Sequence, residues 1–350
     1  MRRIKKILVV QTAFLGDVIL TLPLVQVTKE FFAPACVDVL TTPKTAEVLR
    51  NHPAIGQIIV FDKRGGDAGV GGLLRTAHRV RDEQYDIALV PHRSLRSALL
   101  VWLARIRLRI GFTRSAGRFL FTKPVKYERD SHEIDRNIGL LDAFGIRWEK
   151  KELPNLYPTV EDVRVVDEFV REARSGRDVG MIALAPGTVW NTKRWLKERY
   201  AALAKRFMDD GFVVALVGGK DDEALCQEVG AGLHRSRWID ASGKLTIVQS
   251  AELLRRCNLL VCNDSAPMHL SVAMRTPVVA IFGATIPQFG FAPYGKYDVV
   301  LETHGLNCRP CSSHGGDKCP IKTFDCMTEV SVDKVYLKAK KVIEKSLRIS

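Results

Sequence analysis

Asp17 closes the run Gln11-Thr12-Ala13-Phe14-Leu15-Gly16-Asp17, directly after an apolar stretch at 7–10. A carboxylate at such a turn can take a proton from a substrate hydroxyl as general base. An Asp that only caps a helix occupies the same kind of position, and the spacing alone favours the cap. Gly16 permits a tight turn and the close approach of a ligand. The turn lacks the G-x-G-x-x-G spacing of a dinucleotide fold, which argues against NAD or FAD.

A second cluster is Ala185-Pro186-Gly187-Thr188-Val189-Trp190-Asn191-Thr192-Lys193-Arg194-Trp195. Thr188 and Lys193 put a hydroxyl and a cation in one short loop, which suits a pyrophosphate; the alternative is a solvated basic loop with locally packed tryptophans. In the third, Asn263-Asp264-Ser265-Ala266-Pro267-Met268-His269, Pro267 fits a first helical turn whose free amides bind anions. Asp264 either caps that helix or accepts from sugar hydroxyls, and His269 reads as a core histidine. Arg93, Arg96, Arg105, Arg107, Arg109, Arg114 and Arg118 follow one another with no Asp or Glu between them. Part of this run reads as a solvated edge and the whole as a surface for an anionic acceptor or membrane. Finally, Cys308-x2-Cys311-x7-Cys319-x6-Cys326 offers four thiolates. The second pair is not C-x2-C, so free or oxidisable loop thiols are preferred over a structural metal.

The elements that must position these groups alternate. Residues 7–11 read as a strand and 17–32 as a helix. Strands follow at 37–40, 58–61 and 87–91, with helical patterns at 73–83 and 95–103. The pattern restarts near 180: strands at 179–185, 213–217, 259–262 and 278–282, and helices at 198–210, 222–233, 247–257 and 267–274. This is the signature of parallel βαβ units, hence an α/β chain of two Rossmann-like halves with ligands at the carboxyl ends of the strands. The expected domains are 1–160 and 161–330, with 151–159 as linker. A basic amphipathic helix at 332–347, within 331–350, is expected to pack back on the first domain. The glycine-rich stretch 65–72 lacks phosphate-loop spacing.

The chain has 350 residues, enough for two cores, with 46% apolar and 26% charged residues. A net charge of +14 and a pI near 9.5 argue for an anionic partner. Met1-Arg2-Arg3-Ile4-Lys5-Lys6 is basic, yet the apolar run after it stops at Gln11, so no signal peptide is expected. No apolar stretch reaches the roughly 18 residues of a membrane span. A cytosolic chain is expected. Cys36, Cys226, Cys257 and Cys262 read as core.

Jointly, these segments resemble the glycosyltransferase family that contains the lipopolysaccharide heptosyltransferases. The matching pieces are 7–23 with Gly16-Asp17, His132-Glu133-Ile134-Asp135-Arg136-Asn137, the 186–195 loop, Leu216-Val217-Gly218-Gly219, the 263–269 turn and Phe282-Gly283-Ala284-Thr285. Cys308-Arg309-Pro310-Cys311 looks more like the second of these enzymes than the first. The resemblance implies a GT-B fold, two Rossmann-like domains with parallel sheets facing a central cleft. It also implies inverting, metal-independent transfer of heptose from ADP-L-glycero-D-manno-heptose, with no cofactor. The acceptor it implies is the phosphorylated inner core on lipid A, reached by peripheral contact with the anionic cytoplasmic face of the inner membrane. On the matching positions, Asp17 resembles the general base, a reading that now outweighs the mere cap. Thr188 and Lys193 resemble the phosphate contacts, and Asp264 the sugar-binding acid. Ser265, Ala266 and Met268 form the pyrophosphate turn around Pro267, which has no amide hydrogen. Lys244, Leu245 and Thr246 fall where relatives hold adenine. Where the family has an acid near the ribose, this chain reads Lys220, Asp221, Asp222, Glu223. Gly16, Arg93, Arg96 and Arg114 are assigned to the acceptor.

The alternatives are a nucleotide-sugar epimerase or a transferase for another sugar, and, from another class, a basic nucleic-acid-binding protein. No RNA or DNA module and no interleaving of aromatic and basic residues supports the last.

Overall fold

The computed structural model describes residues 3–174 and 179–347. The chain divides into two compact units, Met1–Tyr157 and Pro158–Ser350. The first runs β1 (Lys6–Val10), α1 (Leu15–Phe31), β2 (Cys36–Thr41), α2 (Pro43–Ala46), β3 (Ile58–Val60) and α3 (Gly69–Asp82). It continues with β4 (Ile87–Val90), α4 (Leu95–Leu103), β5 (Leu108–Phe112), β6 (Lys123–Val125) and α5 (Glu133–Ile138). All pairings are parallel, in the order β3-β2-β1-β4-β5-β6.

The second unit opens with α6 (Val160–Arg174), then β7 (Met181–Ala185), α7 (Lys197–Asp209), β8 (Val213–Leu216), α8 (Glu223–Gly230) and β9 (Trp238–Asp240). There follow α9 (Ile247–Arg255), β10 (Leu259–Asn263), α10 (Ala266–Ala273), β11 (Val278–Phe282), β12 (Val299–Glu302), α11 (Asp325–Thr328) and α12 (Val332–Leu347). Its sheet is parallel as well, ordered β12-β11-β10-β7-β8-β9, the same winding about its own first strand. Strands β1, β4, β7, β10 and β11 are buried, apolar runs, as expected of strands covered on both faces by helices. In each unit the winding reverses between two neighbours, β1 and β4 or β7 and β10. The loops leaving these strands splay apart there and make room for a ligand.

Helix α12, expected against the first domain, instead buries Val335, Ala339, Val342 and Ile343 in the core of the second. Its apolar stripe meets α7, β10 and β11, and Lys340 and Tyr336 bond Asp210 beside that contact. The irregular stretch 151–157 is tied to the first unit by Gln26, whose amide donates to Glu152 Oε1 at 2.8 Å and the Leu153 carbonyl at 3.0 Å. Eight elements went unread in the sequence: β5, β6, β9, β12, α2, α5, α6 and α11. Strand β5 lies inside the arginine-rich run. Among the described residues, no helix is long and apolar enough to cross a membrane.

Candidate active site

The first unit gathers polar groups where β1 and β4 end. Phe14 is the N-cap of α1, so Asp17 holds the third helical position, one turn further in than a cap. Its Oδ2 accepts the Phe14 amide at 3.1 Å, satisfying one of the donors a helix start leaves open. Cap and candidate base are therefore the same carboxylate, and it is only partly buried. Gly16 lies beside it in the first turn of α1. The preceding loop is pinned at Thr12. The Thr12 hydroxyl lies 3.0 Å from His92 Nδ1, which lies 2.9 Å from Ser97 Oγ, while Lys63 donates to the Thr12 carbonyl at 2.5 Å. Burial, then the charges of Lys63 and Arg93, push His92 down to about 4, so this bracket is held by a neutral ring.

Helix α5 packs on α1 and brings a buried ion pair, Glu133 with Arg136 at 2.9 Å. Burial pushes Glu133 up to about 7, opposed by Arg136 and reinforced by the charge of Asp17. The guanidinium groups of Arg93 and Arg136 lie 4.5 and 4.8 Å from the Tyr127 ring centroid. Arg96 donates to the Lys63 carbonyl at 3.2 Å, and Arg114 follows β5. All three arginines assigned to the acceptor are exposed. His92, Lys63 and the Glu133–Arg136 pair were not read as site residues. For His92 the available signal was its place at the carboxyl end of a recognised strand.

The second unit brings two assigned residues together at its own point of reversal. Lys193, after β7, pairs with Asp264, after β10, at 2.6 Å, with both side chains nearly buried. Thr285, after β11, donates to the same carboxylate oxygen at 2.7 Å. Arg194 clamps the Thr188 carbonyl at 3.0 and 2.7 Å, and Thr188 Oγ1 accepts the Trp190 amide at 3.1 Å. Asn263 bridges the loop to β10, accepting the Trp195 amide and donating to the Pro186 carbonyl, both at 2.9 Å. Ser265 is the N-cap of α10, followed by Ala266 and Pro267. Met268 buries its side chain and donates its amide to the Ser265 carbonyl at 3.1 Å, so that amide is not free for a ligand. His269 is buried, as read.

The nucleotide-end assignments fall on helix starts. Thr246 caps α9 in a reciprocal box with Gln249, at 3.1 and 3.2 Å. Lys244 lies 3.6 Å from Asp240, and Leu245, between Lys244 and Thr246, is half-buried. Of the acids after Gly218-Gly219, Asp222 turns back to accept the Gly219 amide at 2.9 Å.

Two expectations change. Arg109 in the basic run is structural: its guanidinium donates to the Ile106, Arg107 and Leu120 carbonyls, and burial lowers its pKa. The cysteine segment braces the loops that follow β7 and β11. Arg309 donates to the carbonyls of Gly283 at 2.5 Å, Thr303 at 2.5 Å and Thr285 at 2.8 Å, and to Glu302 at 2.8 Å. Thr192 and Gly316 exchange two bonds at 2.9 Å, and a side chain at Gly315 would stand 2.9 Å from the Lys193 stem. Cys308, Cys311, Cys319 and Cys326 are free thiols, and no group of three or more His, Cys, Asp or Glu among the described residues is arranged to hold a metal ion.

Two parallel six-stranded units, each with a polar cluster at its reversal, have the architecture of the GT-B fold. The chain belongs to glycosyltransferase family 9 (heptosyltransferase), whose model matches residues 73–320. It is 27% identical over 293 residues to lipopolysaccharide heptosyltransferase 2 of Salmonella typhimurium, covering 81% of this chain and 84% of the relative. Among solved structures it resembles a family 9 glycosyl transferase of Veillonella parvula, with a TM-score of 0.87, 26% identity and coverage of 97% and 98%. It also shares the fold of the E. coli ADP-heptose lipopolysaccharide heptosyltransferase II, with a TM-score of 0.80, 22% identity and coverage of 97% and 99%.

Proposed function

We propose that this chain transfers heptose from ADP-L-glycero-D-manno-heptose to the phosphorylated inner core of a lipid A acceptor, with inversion and without a metal ion. The second unit holds the donor and the first activates the acceptor. Lys193 and the amides at the start of α10 meet the diphosphate, while Asp264, held by Thr285, accepts from sugar hydroxyls. Asp17 takes the acceptor hydroxyl proton as the new C1–O bond forms on the face opposite the leaving group. The old C1–O bond breaks, and its electrons leave on ADP, whose growing charge Lys193 stabilises. Thr188 shapes the diphosphate loop, and Lys244, Leu245 and Thr246 border the adenine. Arg93, Arg96 and Arg114 meet the acceptor's phosphates, and use of a lipid-borne acceptor brings the protein to the cytoplasmic membrane face.

The observation that carries this reading is the meeting of Lys193, Asp264 and Thr285 from three separate strand ends in a family 9 chain. Product analysis after incubation with ADP-heptose and a panel of truncated core acceptors tests it. A heptosylated core with one new linkage is expected. Donor turnover that needs no acceptor would instead mark an epimerase.

A further inference from the structure

Helix α4 presents apolar residues to solvent where a surface helix ordinarily presents polar ones. Its inner side buries Ser97, Ala98, Leu100 and Val101. Leu95 and Trp102, two turns apart on the outer side, are 46% and 48% exposed, and Phe119 on the neighbouring turn is 75% exposed. That turn is seated on α4. The Ala116 amide donates to the Arg93 carbonyl at 3.0 Å, and Gly117 lies so close that a Cβ there would stand 2.4 Å from Ala98 Cβ and 3.3 Å from Leu95 Cδ1. A single exposed leucine needs no explanation; a leucine and two large aromatics around one seam do.

What surrounds the seam selects the occupant. Arg93, Arg96, Arg105, Arg107, Arg114 and Arg118 are exposed, and the whole stretch 93–118 contains no carboxylate. Arg109, the seventh arginine, is half-buried and held by three backbone carbonyls, whereas Arg96 stays exposed with one such bond, to Lys63. Exposed Trp and Phe in a stretch that carries six exposed arginines and no carboxylate match the region between lipid headgroups and acyl chains. There the rings sit at the apolar boundary and each cation meets an anionic headgroup.

We propose that α4 and the Arg118–Leu120 turn form a docking surface for an anionic lipid bilayer. The surface borders the base's own loop, because Ser97 in the first turn of α4 bonds His92, and His92 bonds Thr12. A protein docked this way presents its acceptor-side turn to a sugar chain rooted in the same bilayer. That consequence rests on the proposed lipid-borne acceptor; the binding itself does not.

The test is co-sedimentation of the full chain with phosphatidylglycerol-containing vesicles, against pure phosphatidylcholine vesicles and single-stranded and duplex DNA. Wild type is expected to pellet with the anionic vesicles only, and less so at high salt. Trp102→Ser/Phe119→Ser and, separately, Arg107→Gln/Arg118→Gln should each weaken that binding by about tenfold or more. Both variants should retain wild-type turnover on a delipidated, water-soluble acceptor. Undiminished vesicle binding by both variants, or wild-type binding to DNA tighter than to vesicles, overturns the proposal. Failure of the wild type to turn over the delipidated acceptor would count against the transferase reading and leave the vesicle result standing.

Discussion

Lys193 cannot meet a diphosphate unchanged, because a carboxylate already holds it at 2.6 Å. Taking one charge from a nearly buried pair leaves the other uncompensated, at a cost of about 3–5 kcal/mol. Thr285 offsets part of this at Asp264. Lys193→Ala should therefore raise the dissociation constant for ADP by roughly tenfold or more and also lower the urea midpoint. Isothermal titration and denaturation on the same protein check both; unchanged ADP binding would remove Lys193 from the site. Two of the first unit's histidines, His52 and His92, make a second residue-scale prediction. Burial lowers both His52 and His92 from 6.5 to about 4. The unfolded chain binds protons there that the folded chain refuses, so stability falls as pH drops through 6.5 toward 4. By linkage each contributes about 2 kcal/mol of lost stability between pH 7 and pH 5. Urea unfolding at the two pH values checks this: Glu133, whose raised carboxyl takes up a proton in the folded chain over the same range, offsets part of the loss, and His92→Gln should lose about 2 kcal/mol less than wild type. An equal loss in that variant would contradict the assignment.

Among the elements, the segment between β12 and α11 changes its standing most. Its cysteines draw the eye in the sequence, yet Arg309 among them carries the observable burden, tying together the carbonyls around Thr285. Arg309→Ala leaves several buried acceptors without a donor and should cost about 3 kcal/mol of stability. Because Thr285 holds Asp264, ADP affinity should fall with it. Calorimetric unfolding and ADP titration read the two effects; a variant as stable as wild type would show that water replaces the guanidinium. The strands that carry the site were legible because β1, β4, β7, β10 and β11 are continuous apolar runs ending in polar turns. Strand β5 was not, since Arg109 interrupts Leu108 and Ile110, and its guanidinium folds back onto carbonyls that the sequence does not reveal. The three-residue strands β6 and β9 are too short to show a period. Helix α12 was recognised as amphipathic, but amphipathicity does not say which core an apolar stripe will join.

At the scale of the molecule, one winding occurs twice, and each unit has its polar groups where that winding reverses. This much the restart of the pattern near residue 180 announced. Which side chains meet at a reversal could not be read from spacing: Lys193, Asp264 and Thr285 are far apart in the chain, and His92 reaches Thr12 across 80 positions. The net charge of +14 likewise indicated an anion without saying where, whereas the structure concentrates exposed arginine around α4. Division of labour between the units is the claim on which the rest depends, and Asp17→Asn tests it most directly. The substitution keeps the side chain's shape and its carbonyl acceptor for Phe14, and removes the base. Donor affinity and turnover should be measured side by side on this variant. The account predicts ADP-heptose binding near that of wild type and a kcat lower by about 10²–10⁴-fold. Turnover close to wild type, or loss of donor affinity in step with turnover, would contradict it.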